Sequence, residues 1–125
     1  MGLTTAGMNH LLGLGVGEAL TSFATANSYL GVGDSSTAFA IAQTDLQAAS
    51  NKTRKAVSST SRSSNVVTSV ATFTTSDANY TWSEFGLFNA SSAGVMLHRG
   101  VSASFFVKNA STVAVLTITL TVTAA

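Results

Sequence analysis

The stretch Leu116-Thr117-Ile118-Thr119-Leu120-Thr121-Val122-Thr123 decides the class of fold. Apolar and hydroxyl residues alternate through it without a break. Successive side chains of a strand point to opposite faces, so one face carries Leu116, Ile118, Leu120 and Val122 and the other carries four threonines. The residue types favour strands as well. The apolar face predicts a core. The threonine face suits water or a neighbouring subunit, because each side chain offers both a hydroxyl and a methyl. Residues 109–125 carry no charge, yet the alternating threonines argue against a membrane helix.

Upstream, Val66 to Thr74 reads as a strand, and so does Tyr80 to Phe88, which is apolar on both faces. Gly86 inside the latter predicts a bulge or a close backbone approach. Val95 to Arg99 and Val101 to Lys108 read as two strands broken near Gly100. Asn89-Ala-Ser-Ser-Ala-Gly94 is a turn, so Phe88 and Val95 should flank a hairpin. Tyr29 to Val32 reads as a short strand before the turn Gly33-Asp-Ser-Ser36. Thr44 to Ala49 suggests one helical turn, and Ser58 to Ser64 reads as a mobile loop.

The first third of the chain differs. Met8, Leu12, Val16, Leu20 and Phe23 recur at helical spacing, but Gly13, Gly15 and Gly17 weaken a long helix. A short helix over Thr4 to Leu12, capped by Thr4, is expected. The predicted fold class is mainly β: a single antiparallel β-sandwich or jelly-roll-like domain over residues 26–125, preceded by an N-terminal helical arm over residues 1–25.

Composition narrows the function. The chain has 125 residues, no Cys, 46% hydrophobic and 9% charged residues, with a mean hydropathy of +0.36. A typical soluble domain is about 25% charged. So weakly charged a surface is poorly protected against association and predicts coverage by neighbours. The net charge of +1 gives no reason to expect nucleic acid or a membrane as partner. No basic segment precedes the first apolar residues, so no secretory signal is expected. Met1-Gly2 lacks the hydroxyl residue of a myristoylation site, because Ala6 stands there.

No catalytic constellation emerges. His10 and His98 are the sole imidazoles and read as structural or surface residues. Glu18, Asp34, Asp45, Asp77 and Glu84 are scattered, with Asp34 and Asp77 placed as turn residues. No metal-ligand spacing occurs. Gly13-Leu-Gly-Val-Gly17 and Gly31-Val-Gly33 lack the rest of a phosphate-binding fingerprint. Neither an enzyme, a cofactor, a metal nor a small-molecule substrate is therefore expected. Glu84 lies among Trp82, Phe85 and Phe88, where a buried carboxylate needs a partner, expected to be Arg99 or Arg54. Lys52, Arg54 and Lys55 form the one basic cluster, read as a loop.

Several blocks together resemble small virion structural proteins of tailed bacteriophages, of the decoration, collar and tail-fibre kinds. They are Tyr29-Leu-Gly-Val-Gly-Asp-Ser-Ser-Thr-Ala-Phe39, Gln43-Thr-Asp-Leu-Gln47, Asn51-Lys-Thr-Arg-Lys55, Tyr80-Thr-Trp-Ser-Glu-Phe-Gly-Leu-Phe-Asn-Ala90 and Val95-Met-Leu-His-Arg99. The resemblance implies a non-enzymatic subunit, homotrimeric, on a virion. A capsid decoration (cement) protein bound to the major capsid protein is favoured over a tail, collar or fibre component. On that reading the capsid contacts are Leu3, Met8 and Leu12 of the arm and Lys52, Arg54 and Lys55 of the basic cluster. Both chain ends, Met1 and Ala125, are expected to be held by neighbours.

Overall fold

The computed structural model describes residues 2–124; the expectation for Met1 and Ala125 lies outside them. Eight strands and one helix run in the order β1 (Gly2–Leu3), α1 (Thr5–Gly15), β2 (Tyr29–Gly33), β3 (Lys52–Ala56), β4 (Ser59–Ser63), β5 (Val66–Phe73), β6 (Thr81–Phe88), β7 (Met96–Val107) and β8 (Ala114–Thr121). They form two antiparallel sheets, β1-β7-β6-β2-β3 and β4-β5-β8. The fold is mainly β with one short N-terminal helix. No described helix is long and apolar enough to cross a membrane.

The opening stretch forms β8 as its alternation requires. Ile118 and Leu120 are buried while Val115, Thr117, Thr119 and Thr121 are exposed. The buried face meets Ala71 and Phe73 of β5 and, from the other sheet, Leu30, Val32, Trp82, Leu87 and Leu97. Trp82 stands at the centre, with its ring 4.9 Å from Phe73 and 5.1 Å from Phe106. Its indole N–H donates to Ala78 O at 3.0 Å, which satisfies the ring's one polar atom.

An irregularity in the pairing of β6 with β7 decides which side chains enter this core. Trp82, Phe85 and Leu87 all pack inward, a spacing that simple alternation forbids. The register shifts between Trp82, paired with Phe106, and Glu84, paired with Val101, so residues 102–105 of β7 bulge opposite Ser83 and the phase resets. Glu84 is thereby turned to the outer face of the five-stranded sheet. A second shift lies at Leu87/Phe88, where Leu97 of β7 is the extra residue, and of the two expectations for Gly86 the close backbone approach is met, since a Cβ there would lie 2.9 Å from the His98 carbonyl oxygen. The hairpin from Phe88 to Val95 is also present: Asn89 N–H donates to Val95 O, and its Oδ1 accepts from Val95 N–H.

Four expectations are corrected. First, β7 is one strand of twelve residues. Gly100 does not break it; it lies opposite Phe85, whose ring covers the position a Cβ would occupy. Second, Ser58 to Ser64 is no mobile loop. Ser59–Ser63 forms β4, paired to β5 by its backbone, with Thr60 Oγ1 3.0 Å from Ser69 Oγ. Third, Thr44 to Ala49 makes no helical turn, because the amides of Gln47 and Ala48 donate to the Glu84 carboxylate. Fourth, the helix runs past Leu12 to Gly15, and Leu20 and Phe23 lie beyond it. The chain folds back so that Leu20 and Glu18 fill the space beside Gly13.

Thr4 caps the helix as expected, its hydroxyl accepting from Gly7 N–H at 2.8 Å. The face that meets the sheet is not the apolar stripe. It is Gly7, set so close to Leu97 that a Cβ would lie 2.5 Å from the carbonyl oxygen. The stripe consequently faces outward.

The sheets are joined at one flank by only Val57 and Ser58, which lead from β3 to β4. Val57 N–H donates to Ser28 O and Ser58 N–H to Val70 O, one bond into each sheet. At the other flank Lys108 to Val113 connect β7 to β8.

Candidate assembly surfaces

The outer face of the five-stranded sheet is covered by residues 34–51, a connection without regular structure. Leu46 packs there on Phe88 and Met96. Beside it Glu84 and Arg99 are both fully buried, with Arg99 Nε 2.9 Å from Glu84 Oε1. Arg99 Nη1 donates to Thr37 O and Gln43 Oε1, each at 3.0 Å. Glu84 accepts from Gln47 N–H at 2.7 Å and Ala48 N–H at 2.9 Å. The pair therefore spans the connection at four points. It is the partner the sequence expects for Glu84, with Arg99 taken from the two alternatives.

The basic cluster lies on an edge strand, β3, rather than in a loop. Its charges are turned to acids of the same chain. Lys52 lies 3.0 Å and Arg54 3.4 Å from Asp45, and Lys55 lies 2.7 Å from Asp77. Arg54 also donates to Ala90 O and Ala93 O and stacks over the Phe88 ring at 3.6 Å. Burial pushes the Asp45 carboxyl up, but the Lys52 hydrogen bond, the Leu46 amide and the charges of Lys52 and Arg54 outweigh it and hold it below its ordinary value. The Lys55 hydrogen bond, with those of the Thr74 amide and hydroxyl, holds Asp77 at about 2. Arg54 thus clamps the β6–β7 turn to the covering connection, and Lys52 and Lys55 remain partly exposed.

The N-terminal residues divide. Leu3 sits in β1 opposite His98 and packs against the core. Met8 and Leu12 are exposed on α1, in one surface with Leu11, Val16 and Leu20. Leu12 is 67% and Val16 80% exposed, values that separate this stripe from any core-facing helix. Lysine and arginine are absent from α1, so the surface is apolar without a basic rim.

The titratable residues do not converge. Asp34 accepts from Asn51, Asp45 and Asp77 serve the strand lysines, and Glu84 serves Arg99; no two of the acids share a hydrogen-bond partner among the described residues. His10 Nε2 lies 2.6 Å from Thr21 O and 3.2 Å from Asn89 Nδ2. His98 is buried, its Nδ1 has no partner, and burial pushes it down to about 4. Burial pushes the Tyr80 hydroxyl up to about 12; it donates to Val32 O at 3.1 Å and lies 2.9 Å from Thr53 Oγ1, from which it accepts. Among the described residues no three His, Asp or Glu side chains gather as metal ligands.

Two surface features escape a sequence reading. One is an open groove of about 420 Å³ between the ends of β7 and β8, lined by Trp82, Phe105, Phe106, Val113 and Val115. The other is the free edge of β8 itself. The uncharged run after Lys108 is the signal that marks both. Comparison with protein-family models, curated proteins and solved structures returns no match.

Proposed function

We propose that the chain is a non-enzymatic virion structural protein of a tailed bacteriophage, a capsid decoration (cement) subunit that binds the major capsid protein as a homotrimer on the capsid surface. Its two sheets are read as a sandwich. Sequence neighbours pair within them (β2–β3, β4–β5, β6–β7), which favours that description over a jelly-roll-like one. The observation that carries the proposal is the outward apolar stripe of α1, held in place by Gly7 on Leu97 rather than by its own apolar residues. A helix anchored through glycine leaves its hydrophobic face for something else. The low charge of the chain and the resemblance of its sequence blocks support that setting. Each copy would add modest contact area, and repetition over the shell would resist internal pressure.

A reconstruction of the particle that locates this chain tests the proposal. Many copies over the head support decoration. A few copies at the tail would replace it with the collar or fibre reading, which the same sequence blocks also resemble. Particles lacking the protein should lose heat or osmotic resistance, and unchanged resistance would contradict clamping.

A further inference from the structure

The sheet order β4-β5-β8 leaves β8 one unpaired edge. The ladder shows which groups face it. Val122 N–H donates to Asn65 O at 3.0 Å, and that pair continues the β5–β8 register. Bonded and non-bonded positions alternate in an antiparallel pair. Ala114, Leu116, Ile118 and Leu120 therefore bond to β5. The amides and carbonyls of Val115, Thr117, Thr119 and Thr121 point away from the sheet, and their side chains are exposed too.

The opposite edge of the same sheet is covered. Thr60 N–H donates to Thr25 Oγ1 at 3.1 Å, and that hydroxyl lies 3.3 Å from Thr60 O, to which it donates. Among the described residues no such cover lies over β8. Free edges are commonly blunted by charge, proline or a bulge. Residues 109–125 have no charge, the chain has no proline, and the β5–β8 register has no shift.

We propose that β8 pairs antiparallel with β8 of a second copy about a twofold axis at Ile118, joining two three-stranded sheets into one of six. In this register Val115 faces Thr121 of the second copy and Thr117 faces Thr119, so every outward residue of both edges is engaged. Leu116 then faces Leu120, and apolar meets apolar on the core side. The exposed Val113, Val115 and Val122 gather at the two ends of the joint, beside the groove at Trp82. The contact is isologous, and a neutral edge meets its own copy without repulsion. It does not rest on the virion reading. Where protomers also trimerise through another face, it joins trimers in pairs.

Sedimentation equilibrium of the full chain should give a dimer, or a hexamer if trimers form as well. Thr117→Lys with Thr119→Lys places like charges opposite each other twice and should weaken association on the order of tenfold. Melting of the protomer should be unchanged, since both side chains are exposed. Thr117→Lys with Thr119→Glu places unlike charges opposite and should keep the wild-type mass. A monomer or a lone trimer for the wild type, equal association of the double-lysine variant, or loss of association in the Lys/Glu variant each overturns the proposal. If the double-lysine variant does not fold, the Lys/Glu variant decides alone. A monomeric wild type would remove this contact and the homotrimer but leave capsid decoration standing, because that part of the reading is tested on the particle, by its reconstruction and its resistance.

Discussion

Arg99 and Glu84 meet at 2.9 Å with no exposed surface on either side chain, and between them they hold residues 37, 43, 47 and 48 of the connection that covers the outer sheet face. A buried ion pair is weak evidence of net stability, but removing one member leaves an uncompensated charge. Here it also releases the connection.

Glu84→Gln and Arg99→Met should each destabilise the fold by about 3–5 kcal/mol. Urea denaturation measures the loss. Native-state hydrogen exchange should show the Gln47 and Ala48 amides losing protection before the β5–β8 ladder does. Equal loss in both regions would mean the pair is not a local clamp.

Gly7→Ala should detach α1 from β7 without disturbing the sheets, because its Cβ would meet backbone that cannot retreat. Overpacking of this kind costs about 1–3 kcal/mol. The helical circular dichroism signal should fall at a lower temperature than the Trp82 fluorescence transition. A single coincident transition at the wild-type temperature would refute the anchoring role of Gly7.

Leu12→Gln and Val16→Gln should leave protomer stability within about 0.5 kcal/mol, since neither residue is packed. On the decoration reading the same changes should abolish binding to isolated capsids. Full binding by the double variant would remove the helix from the contact surface.

Acid should weaken the protein in two steps. His98 titrates near 4 in the fold against an ordinary value of 6.5, so the unfolded chain binds the extra proton between those values. Stability is full above about pH 6.5 and falls as pH drops toward 4, by about 3 kcal/mol. Asp77, held near 2, loses its contribution only between about pH 4 and 2. Denaturation midpoints from pH 7 to 4.5 should fall in the wild type and stay level in His98→Met. A flat wild-type profile would contradict the first step.

Strand identity was legible wherever packing produced a period. β8, β5 and the β6–β7 hairpin follow from alternation and turn residues, and Glu84 announced its need for a cation by its neighbours. What could not be read were elements held by groups that leave no hydrophobic trace. β4 is serine and threonine on an edge, bonded through its backbone. Gly100 looked like a break because the ring that replaces its side chain comes from Phe85, fifteen positions earlier. Thr44 to Ala49 has the composition of a helical turn, but Glu84 takes the Gln47 and Ala48 amides. The helical spacing of Met8, Leu12 and Val16 was correctly periodic, but spacing identifies a face and not what the face touches. Lys52, Arg54 and Lys55 were grouped correctly, but their acids, Asp45 and Asp77, come from two different connections and could not be paired in advance.

The two-residue link at Val57 and Ser58 gives the molecule a spine. The other links between the sheets, Thr74 to Tyr80 and Lys108 to Val113, are longer, so the sheets separate more readily away from Val57, as a book does, on the side beside Trp82. Breathing of the fold should therefore be directional: solvent reaches the indole before it reaches Val57. An external quencher of tryptophan emission would sense that opening, and whatever bridges the β7 and β8 margin would act as the clasp.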